Sequence, residues 1–271
     1  MTTELIMLSN TLMVSQTYDM ISNLPETVEP TQRKIGDFIV SWEPESAMKI
    51  RDKILEKRLE HRMNNNDLPL MGSEEAQRPF MVGVVGIPGS GKSTSSEILS
   101  AFLQGSIVMP LDGYHTSMAD LNKLPNAADA IYRRGAPDTF DPASLEKALE
   151  RIVHGDEAAV SMPGFDHAKG DPEPNQHTFV RDEHSIVIAE GIYLMHQGDG
   201  WENIKSYFDH IIYIEVDVDT CVARLKERNK SIPGYTPEEI ELRCEVVDRS
   251  NAETVFRSRV YAHEEVQTGA P

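Results

Sequence analysis

The chain has 271 residues, of which 39% are hydrophobic and 26% are charged, and its formal net charge is −18. This composition predicts a soluble globular protein with one α/β domain plus additions, or with two small domains. The negative charge disfavours nucleic acid and anionic membranes as partners, and no apolar run approaches the roughly 18 residues that a membrane span needs.

The N-terminus and the cysteines bear on the compartment. The first basic residue is Arg33, so the chain lacks the cationic start of a secretory or transit peptide. Cys221 and Cys244 are isolated, without the spacing of a metal site, which favours free thiols in a reducing compartment. We therefore expect a cytoplasmic protein, a monomer or a homodimer, without a membrane or nucleic-acid partner.

Residues 1–78 are predicted to form an extension before the main domain. Residues 1–40 show weak periodicity and support no assignment, whereas residues 43–63 are predicted to form an amphipathic helix, because Pro44 suits its first turn. A polar linker is predicted at 64–78. We expect the helix to pack against the main domain, with a dimer surface as the alternative. Its predicted apolar stripe comprises Ala47, Met48, Ile54, Leu55 and Leu59.

Residues 79–271 alternate apolar runs with helical patterns, which predicts a parallel sheet covered on both faces. Strands are predicted at 80–87, 106–111, 158–163, 177–181, 185–189 and 210–216. Helices are predicted at 91–104, from an Asp141 cap to about 154, from an Asp219 cap to about 229, and from a capping box at 236–239 onward.

The string GIPGSGKS, residues 86–93, matches G-x-x-x-x-G-K-[ST] between a predicted strand and a predicted helix. Such a loop points backbone N–H groups at phosphate oxygens, and the following helix adds the positive end of its dipole. Lys92 is expected to reach the β- and γ-phosphates of a nucleoside triphosphate, and Ser93 to bind Mg²⁺. The predicted nucleotide-binding residues are Gly86, Ile87, Pro88, Gly89, Ser90, Gly91, Lys92, Ser93 and Thr94.

The residues beyond the phosphate loop decide the class of reaction. A guanine-specific switch protein needs N-K-x-D, but the nearest string, NKLP at 122–125, ends in proline. A kinase needs a group that orients or deprotonates the acceptor hydroxyl. Asp112 ends the second predicted strand, at the sheet edge that carries the phosphate loop. We predict that it is this catalytic group; a plain Asp-Gly turn is the alternative.

Two further sites carry the predicted chemistry. Glu190 closes the predicted strand at 185–189, where a carboxylate can hold Mg²⁺ through water; an ordinary strand-end glutamate is the alternative. Arg224 and Arg228 lie four residues apart on one helical face, and we predict that they stabilise the γ-phosphate from a mobile lid. The alternative is a solvated helix with an Arg224–Glu227 pair.

Six strings occur in order along the main domain. They are GIPGSGKST (86–94), LDGYH (111–115), YRRGAPDTFDPASL (132–145), MPGFDHAKGDPEP (162–174), IAEGIYLM (188–195) and RLKERN (224–229). Together they resemble the phosphoribulokinase/uridine kinase family of P-loop kinases, and within it an uncharacterised nucleoside/nucleotide-kinase-like subgroup. The resemblance implies the three-layer α/β fold of P-loop NTPases, with a central parallel sheet, a hairpin at 158–181 over the acceptor site, and a helical lid.

The acceptor pocket is predicted from residues around Asp112 and on the hairpin. Tyr114 and His115, which follow the Asp112-Gly113 pair, should line the pocket. The adjacent arginines of the string YRRG suit a carboxylate or phosphate, and the Asp-His pair of the hairpin can bind hydroxyls. For each, a packed or solvent-exposed side chain is the alternative. The predicted acceptor residues are Tyr114, His115, Arg133, Arg134, Asp166 and His167.

The sequence thus predicts an ATP- and Mg²⁺-dependent kinase that phosphorylates a hydroxyl of a small molecule. A nucleoside-, sugar- or hydroxy-acid-like acceptor is expected, anionic ones included. The alternative is an ATP-binding or ATPase protein that acts on a protein partner without a diffusible acceptor. That role would not require Asp112 or the hairpin.

Overall fold

A computed structural model of the protein describes residues 31–35, 38–42, 44–64, 78–166, 169–230 and 236–267. Of the linker predicted at 64–78, residues 65–77 lie outside this part of the chain, as do residues 1–30. The division of the chain at residue 78 therefore stays a prediction.

Strands and helices alternate along most of the described chain. The strands are β1 (Thr31–Ile35), β2 (Phe38–Trp42), β3 (Phe80–Gly86), β4 (Ser106–Pro110), β5 (Ala159–Asp166), β6 (Asp171–Val180), β7 (Ile186–Glu190), β8 (His210–Glu215) and β9 (Glu264–Gln267). The helices are α1 (Pro44–Asn64), α2 (Lys92–Phe102), α3 (Met118–Leu121), α4 (Ala127–Tyr132), α5 (Pro142–Val153), α6 (Val218–Asn229), α7 (Pro237–Arg243) and α8 (Arg249–Ser258). A 3₁₀ turn spans Leu111–Tyr114, and a π-helical segment, Cys244–Asp248, joins α7 to α8.

The centre of the molecule is a five-stranded parallel sheet with the order β4-β7-β3-β8-β9. Strands β3 and β7 are buried along their whole length, as expected for apolar strands inside a parallel sheet. The sheet confirms the predicted α/β class. The edge strand β9 pairs with β8 and has the polar sequence EEVQ. It was not predicted, because its sequence contains no apolar run.

Helix α1 buries a face that differs from the predicted stripe. Ala47, Ile50 and Ile54 are buried at helical spacing, whereas Met48 and Leu59 are 40% and 36% exposed. The stripe was therefore right for Ala47 and Ile54 and wrong for Met48 and Leu59. The buried face is centred on Ile50, which the predicted stripe did not include.

Helix α1 packs against α2 and is tied to the sheet by charged side chains, as expected of packing against the main domain. Lys53 pairs with Glu264 of β9 at 3.0 Å, and His61 contacts Asp209, next to the start of β8, at 3.2 Å. None of the described helices combines the length and the apolarity that a membrane crossing requires.

Helix boundaries follow the capping signals, with one correction. Asp141 caps α5, and Thr236 with Glu239 forms the predicted capping box at the start of α7. The predicted Asp219 cap is wrong. Asp217 caps α6 instead, because its carboxylate accepts the N–H of Thr220 at 2.8 Å.

Strands β5 and β6 form an antiparallel hairpin that packs against the 3₁₀ turn Leu111–Tyr114. The hairpin confirms the expectation for residues 158–181. Its strands are longer than predicted, since pairing continues across the Pro-rich loop to Asp166 and Asp171. A second hairpin, β1–β2, was not predicted from the weak pattern of residues 1–40.

Candidate active site

The carboxyl ends of three neighbouring strands meet at one edge of the sheet. Strand β7 lies between β4 and β3, and its last residue, Glu190, is in register with Pro110 on one side and Val84 on the other. Asp112 comes two residues after Pro110, and the phosphate loop begins at Gly86, the last residue of β3. The topology therefore sets Glu190 between the catalytic candidate and the phosphate loop, where parallel sheets bind their ligands.

The phosphate loop curls between β3 and α2. Gly89 and Gly91 have φ angles of 86° and 89°, in the left-handed region that glycine adopts without strain. A Cβ atom on Gly89 would lie 2.7 Å from the carbonyl oxygen of Cys221, so the loop lies directly against α6. Lys92 is the first residue of α2, which brings the positive end of the helix dipole to the loop. This is the geometry of an anion-binding loop.

Glu190 is a buried carboxylate that is only half satisfied. Its Oε1 accepts a hydrogen bond from the Ser93 hydroxyl at 3.1 Å, while its Oε2 has no hydrogen-bond partner among the described residues. Burial raises the pKa of Glu190 to about 7; the charge of Lys92 opposes this rise and that of Asp112 adds to it. The protein itself therefore leaves one buried oxygen atom available for a ligand.

These oxygen atoms fit a magnesium site. Mg²⁺ prefers oxygen ligands and commonly binds through one or two protein groups together with water and phosphate oxygens. A cation here would also favour the charged form of the buried carboxyl group. Ser93 and Glu190 are the residues that would hold it, and the bound ion would neutralise charge on the β- and γ-phosphates.

Helix α6 brings one basic side chain against the phosphate loop. Arg224 is 5% exposed, and its Nη1 donates a long hydrogen bond of 3.4 Å to the carbonyl oxygen of Gly89. Its Nε is buried and has no partner within the described part of the chain. Arg228, one turn further, is exposed. Glu227 pairs with Lys230, so the alternative pair with Arg224 is not formed.

The turn that carries Asp112 is braced from two sides. A Cβ atom on Gly113 would lie 2.4 Å from the carbonyl oxygen of Pro163, so β5 lies directly on the turn. The backbone carbonyl of Asp112 accepts hydrogen bonds from the N–H of His115 at 3.2 Å and from its Nδ1 at 2.9 Å. Gly113 is thus required by the close approach of the hairpin, a role that the Asp-Gly pattern does not reveal.

His115 is packed between two aromatic rings. Its ring centroid lies 3.9 Å from that of Phe140 and 5.1 Å from that of Phe165. Burial lowers the pKa of His115, although the Asp112 carboxylate opposes this, so the ring is neutral at pH 7. Since Nδ1 donates to a carbonyl, Nε2 is free of a proton and can accept a hydrogen bond.

The loop with the sequence GAPDTFD, residues 135–141, is held by one of its own hydroxyl groups and by two aromatic side chains from outside the loop. The hydroxyl of Thr139 accepts the N–H of Gly135 at 2.9 Å, and the hydroxyl of Tyr193 donates to the Gly135 carbonyl at 2.8 Å. The indole N–H of Trp201 donates to the Pro137 carbonyl at 3.3 Å. The loop therefore acts as a structural brace that positions Phe140 against His115.

Arg134 connects the turn to the hairpin. Its Nη2 donates to Asp171 at 2.7 Å and to the carbonyl of Thr116 at 3.1 Å, and its Nη1 donates to the carbonyl of Gly170. Its guanidinium carbon also lies 5.7 Å from the ring centroid of Phe165. The side chain thus connects its own segment with the segment after the turn and with the hairpin.

Arg133 lies outside this cluster. It donates to Asp129 at 2.9 Å and to both carboxylate oxygens of Asp138 at 2.8 and 2.9 Å, in exposed pairs. Both predicted anion-binding arginines therefore already face carboxylates.

Comparison with known proteins places the chain in a family. The model of the phosphoribulokinase/uridine kinase family matches residues 81–270. The chain belongs to this family. It is 33% identical over 161 residues to the ATP-dependent kinase-like protein notR' of Aspergillus versicolor, a match that covers 58% of this chain and 92% of that one.

Two further proteins are similar to this chain in sequence or in structure. The chain is 30% identical over 187 residues to the protein YggC of Escherichia coli (strain K12), covering 66% of this chain and 74% of that one. The solved structure of YFH7 from Saccharomyces cerevisiae matches with a TM-score of 0.69 at 17% identity, covering 83% of this chain and 99% of that one. The shared fold is that of P-loop kinases, and a P-loop small-molecule kinase is the class that the family indicates.

The remaining residues predicted to bind the acceptor differ in their burial and in their contacts. Tyr114 is 4% exposed and packs in the hydrophobic core. Asp166 pairs with Lys169 at 3.1 Å on the hairpin, and His167 lies outside the described residues. Asp171 and Phe165, which were not among the predicted residues, contact Arg134 and His115. Their only sequence signal is their position in the hairpin string MPGFDHAKGDPEP.

The arrangement has the parts of a phosphoryl-transfer site. The phosphate loop and α2 provide N–H groups and one lysine for phosphate oxygens, and α6 adds a buried guanidinium. The carboxylate of Asp112 and the Nε2 of His115 are the groups of the turn that can accept a proton or a hydrogen bond.

Proposed function

We propose that the protein is an ATP- and Mg²⁺-dependent kinase that transfers the γ-phosphoryl group to a hydroxyl of a small molecule. One observation carries the proposal: Asp112, Glu190 and the phosphate loop stand at three adjacent strand ends, and Arg224 contacts that loop. A nucleotide-binding loop alone would need neither the carboxylate after β4 nor the hairpin that packs on its turn.

The proposed roles derive from these positions. The acceptor oxygen attacks the γ-phosphorus in line, the bond to the β-phosphate oxygen breaks, and ADP leaves. Asp112 orients the hydroxyl and takes its proton. Lys92, Arg224 and Arg228 neutralise charge that develops on the transferred group, with Arg228 acting if the α6 segment closes as a lid. Ser93 and Glu190 would hold Mg²⁺.

The acceptor is proposed to be a nucleoside-, sugar- or hydroxy-acid-like compound. His115 supports a hydroxyl-bearing acceptor, because its unprotonated Nε2 accepts hydrogen bonds. An anionic acceptor remains a prediction from Arg133 and Arg134, although both already face carboxylates. Neutral polyhydroxy compounds therefore come first among the acceptors to be tested.

The test is ADP formation by the full chain with ATP and Mg²⁺ over a panel of nucleosides, sugars, polyols and hydroxy acids. At least one acceptor is expected to raise the rate well above the rate without acceptor, and Lys92→Ala is expected to abolish the increase. ATP consumption that no acceptor changes, and that a protein partner raises instead, would contradict the proposal.

A further inference from the structure

A cleft with a volume of about 390 Å³ lies beside the catalytic turn and shares His115 with the proposed acceptor site. Its walls come from the turn, from α5 and from β5. The phosphate loop, Asp112, Glu190 and Arg224 do not line it. The lining residues are Gly113, Tyr114, His115, Asp141, Ser144, Lys147, Ala148, Arg151, Ser161 and Pro163. The cleft is large enough for a small metabolite.

Helix α5 presents donor groups to the cleft. Ser144, Lys147 and Arg151 succeed one another at helical spacing, so they share one face. Lys147 forms no ion pair with a carboxylate in the described chain, whereas Arg151 is paired with Glu157 through Nε and Nη2 and keeps only Nη1 for a ligand. In a chain with a net charge of −18, an unpaired lysine beside this N–H donor forms a local site for an anion.

The one carboxylate in the cleft wall is already occupied. Asp141 accepts the backbone N–H of Ser144 at 2.9 Å and the Ser144 hydroxyl at 2.6 Å as the cap of α5. These hydrogen bonds, together with the positive end of the helix dipole, offset its charge. Its presence is therefore compatible with an anion between Lys147 and Arg151.

The hydroxyl of Tyr114 is the second observation that points to a ligand. The side chain is 4% exposed, and its hydroxyl has no hydrogen-bond partner among the residues that the structure describes. Burial raises the pKa of Tyr114, while the charge of Arg151 lowers it and that of Asp141 raises it, and all three residues line the cleft. A buried hydroxyl without a partner is unfavourable, and an oxygen atom of a ligand would satisfy it.

We propose that this cleft binds a small phosphorylated metabolite, with its phosphate group between Lys147, Arg151 and the Tyr114 hydroxyl. The site is separate from the phosphate loop but touches the same turn as the catalytic candidate. The backbone carbonyl of Tyr114 accepts the N–H of Asp141 at 2.8 Å, and Asp112 lies two residues before Tyr114. An occupant would therefore act on the position of Asp112 as an effector.

The test separates this cleft from the phosphate loop. The full chain is first saturated with Mg²⁺ and a non-hydrolysable ATP analogue, and inorganic phosphate or glycerol phosphate is then titrated by calorimetry. One further binding site is expected. Lys147→Ala should weaken it at least about tenfold, and Tyr114→Phe should weaken it about threefold to tenfold, as expected for a charged and a neutral hydrogen bond.

The matched control is Lys123→Ala. Lys123 is also an exposed lysine, but it pairs with Asp120 and does not line the cleft. This variant should bind phosphate like the wild type, and the exposed Lys147 should be replaceable without a change in melting temperature. The proposal is overturned if phosphate no longer binds once the ATP analogue is in place. It is equally overturned if Lys147→Ala binds normally, or if Lys123→Ala weakens binding to the same extent.

Discussion

The strand-end edge of the sheet and the hydrogen-bonded cluster around Arg133 and Arg134, which we call the wall, use their polar groups in opposite ways. At the edge, Glu190 Oε2 and Arg224 Nε are buried without hydrogen-bond partners in the described part of the chain. On the wall, Arg134 donates to Asp171 and to two backbone carbonyls, although its Nε is unpartnered, and Arg133 donates to two carboxylates. The edge keeps polar atoms for a ligand, whereas the wall mostly satisfies its own.

Because of this difference, we expect the edge to affect mainly activity and the wall to affect mainly stability. A buried polar atom without a partner costs about 1–3 kcal/mol, so the edge is arranged for binding at some cost to the fold. The hydrogen bonds of the wall stabilise the fold whether or not a ligand is bound. Substitutions at the edge should therefore reduce activity without lowering stability, whereas substitutions on the wall should reduce stability first.

The largest effect is expected at Asp112. Asp112→Asn keeps the shape of the side chain but removes the proton acceptor, so kcat should fall by roughly 10²–10⁴ while ATP affinity is retained. Steady-state kinetics with an identified acceptor, together with ATP titration, checks both quantities. Turnover within a few-fold of the wild type would remove Asp112 from the chemistry.

Substitutions of Arg224 and Arg228 test whether activity depends on the position of an arginine on α6 or only on its positive charge. Arg224→Ala removes a buried, charged donor at the phosphate loop and should lower kcat/KM for ATP by roughly 10- to 100-fold. Arg228→Ala removes an exposed charge and should have a clearly smaller effect. Equal losses in the two variants would show that the contact with Gly89 is irrelevant to the reaction.

Substitutions of Arg134 and Arg133 test whether the position of an arginine in the wall determines its contribution to stability. Arg134→Ala should lower the free energy of unfolding by about 1–3 kcal/mol, because it leaves partly buried acceptors without a donor. Arg133→Ala should change it by less than about 1 kcal/mol, since its ion pairs are exposed. Urea denaturation of both variants measures the difference. A fully stable Arg134→Ala protein would contradict the division between edge and wall.

The smallest effect is a pH dependence at His115. Burial is the main cause that lowers its pKa in the folded protein, and the positive charge of Arg134 lowers it further. The negative charges of Asp112 and Asp171 partly oppose this shift. The unfolded chain, with a histidine pKa of about 6.5, then binds the proton more tightly, so stability should fall as the pH drops below that value. His115→Gln should flatten this part of the melting-temperature profile. A profile identical to that of the wild type would exclude His115 as its source.

The edge could be predicted from the sequence because its signals are local. The phosphate loop is one string between a strand and a helix, and Asp112 and Glu190 each come at the end of an apolar run. Parallel pairing then brings strand ends together without further information. What the sequence did not contain was the strand order, which sets Glu190 between the other two.

The wall could not be predicted because its contacts join distant segments. Arg134 and Asp171 are 37 residues apart, and nothing in either string indicates that they pair. The cap of α6 was misassigned for a different reason. Two aspartates lie at the helix start, and the helix begins one residue before Asp219, which places Asp219 inside the first turn and Asp217 at the cap.

The contact between Gly89 and the backbone of Cys221 makes α6 a neighbour of the phosphate loop, and it also makes the natural cysteines useful. Burial raises the pKa of Cys221 to about 12 and that of Cys244, which packs with Val222 and Leu225 of α6, to about 11. Thiols react as thiolates, and the raised pKa values keep both thiols protonated at neutral pH. Both cysteines should therefore react slowly while α6 stays packed in place. They are the only two cysteines of the chain. The rate at which a thiol reagent modifies the unmutated protein would therefore measure any opening of α6 away from the phosphate loop.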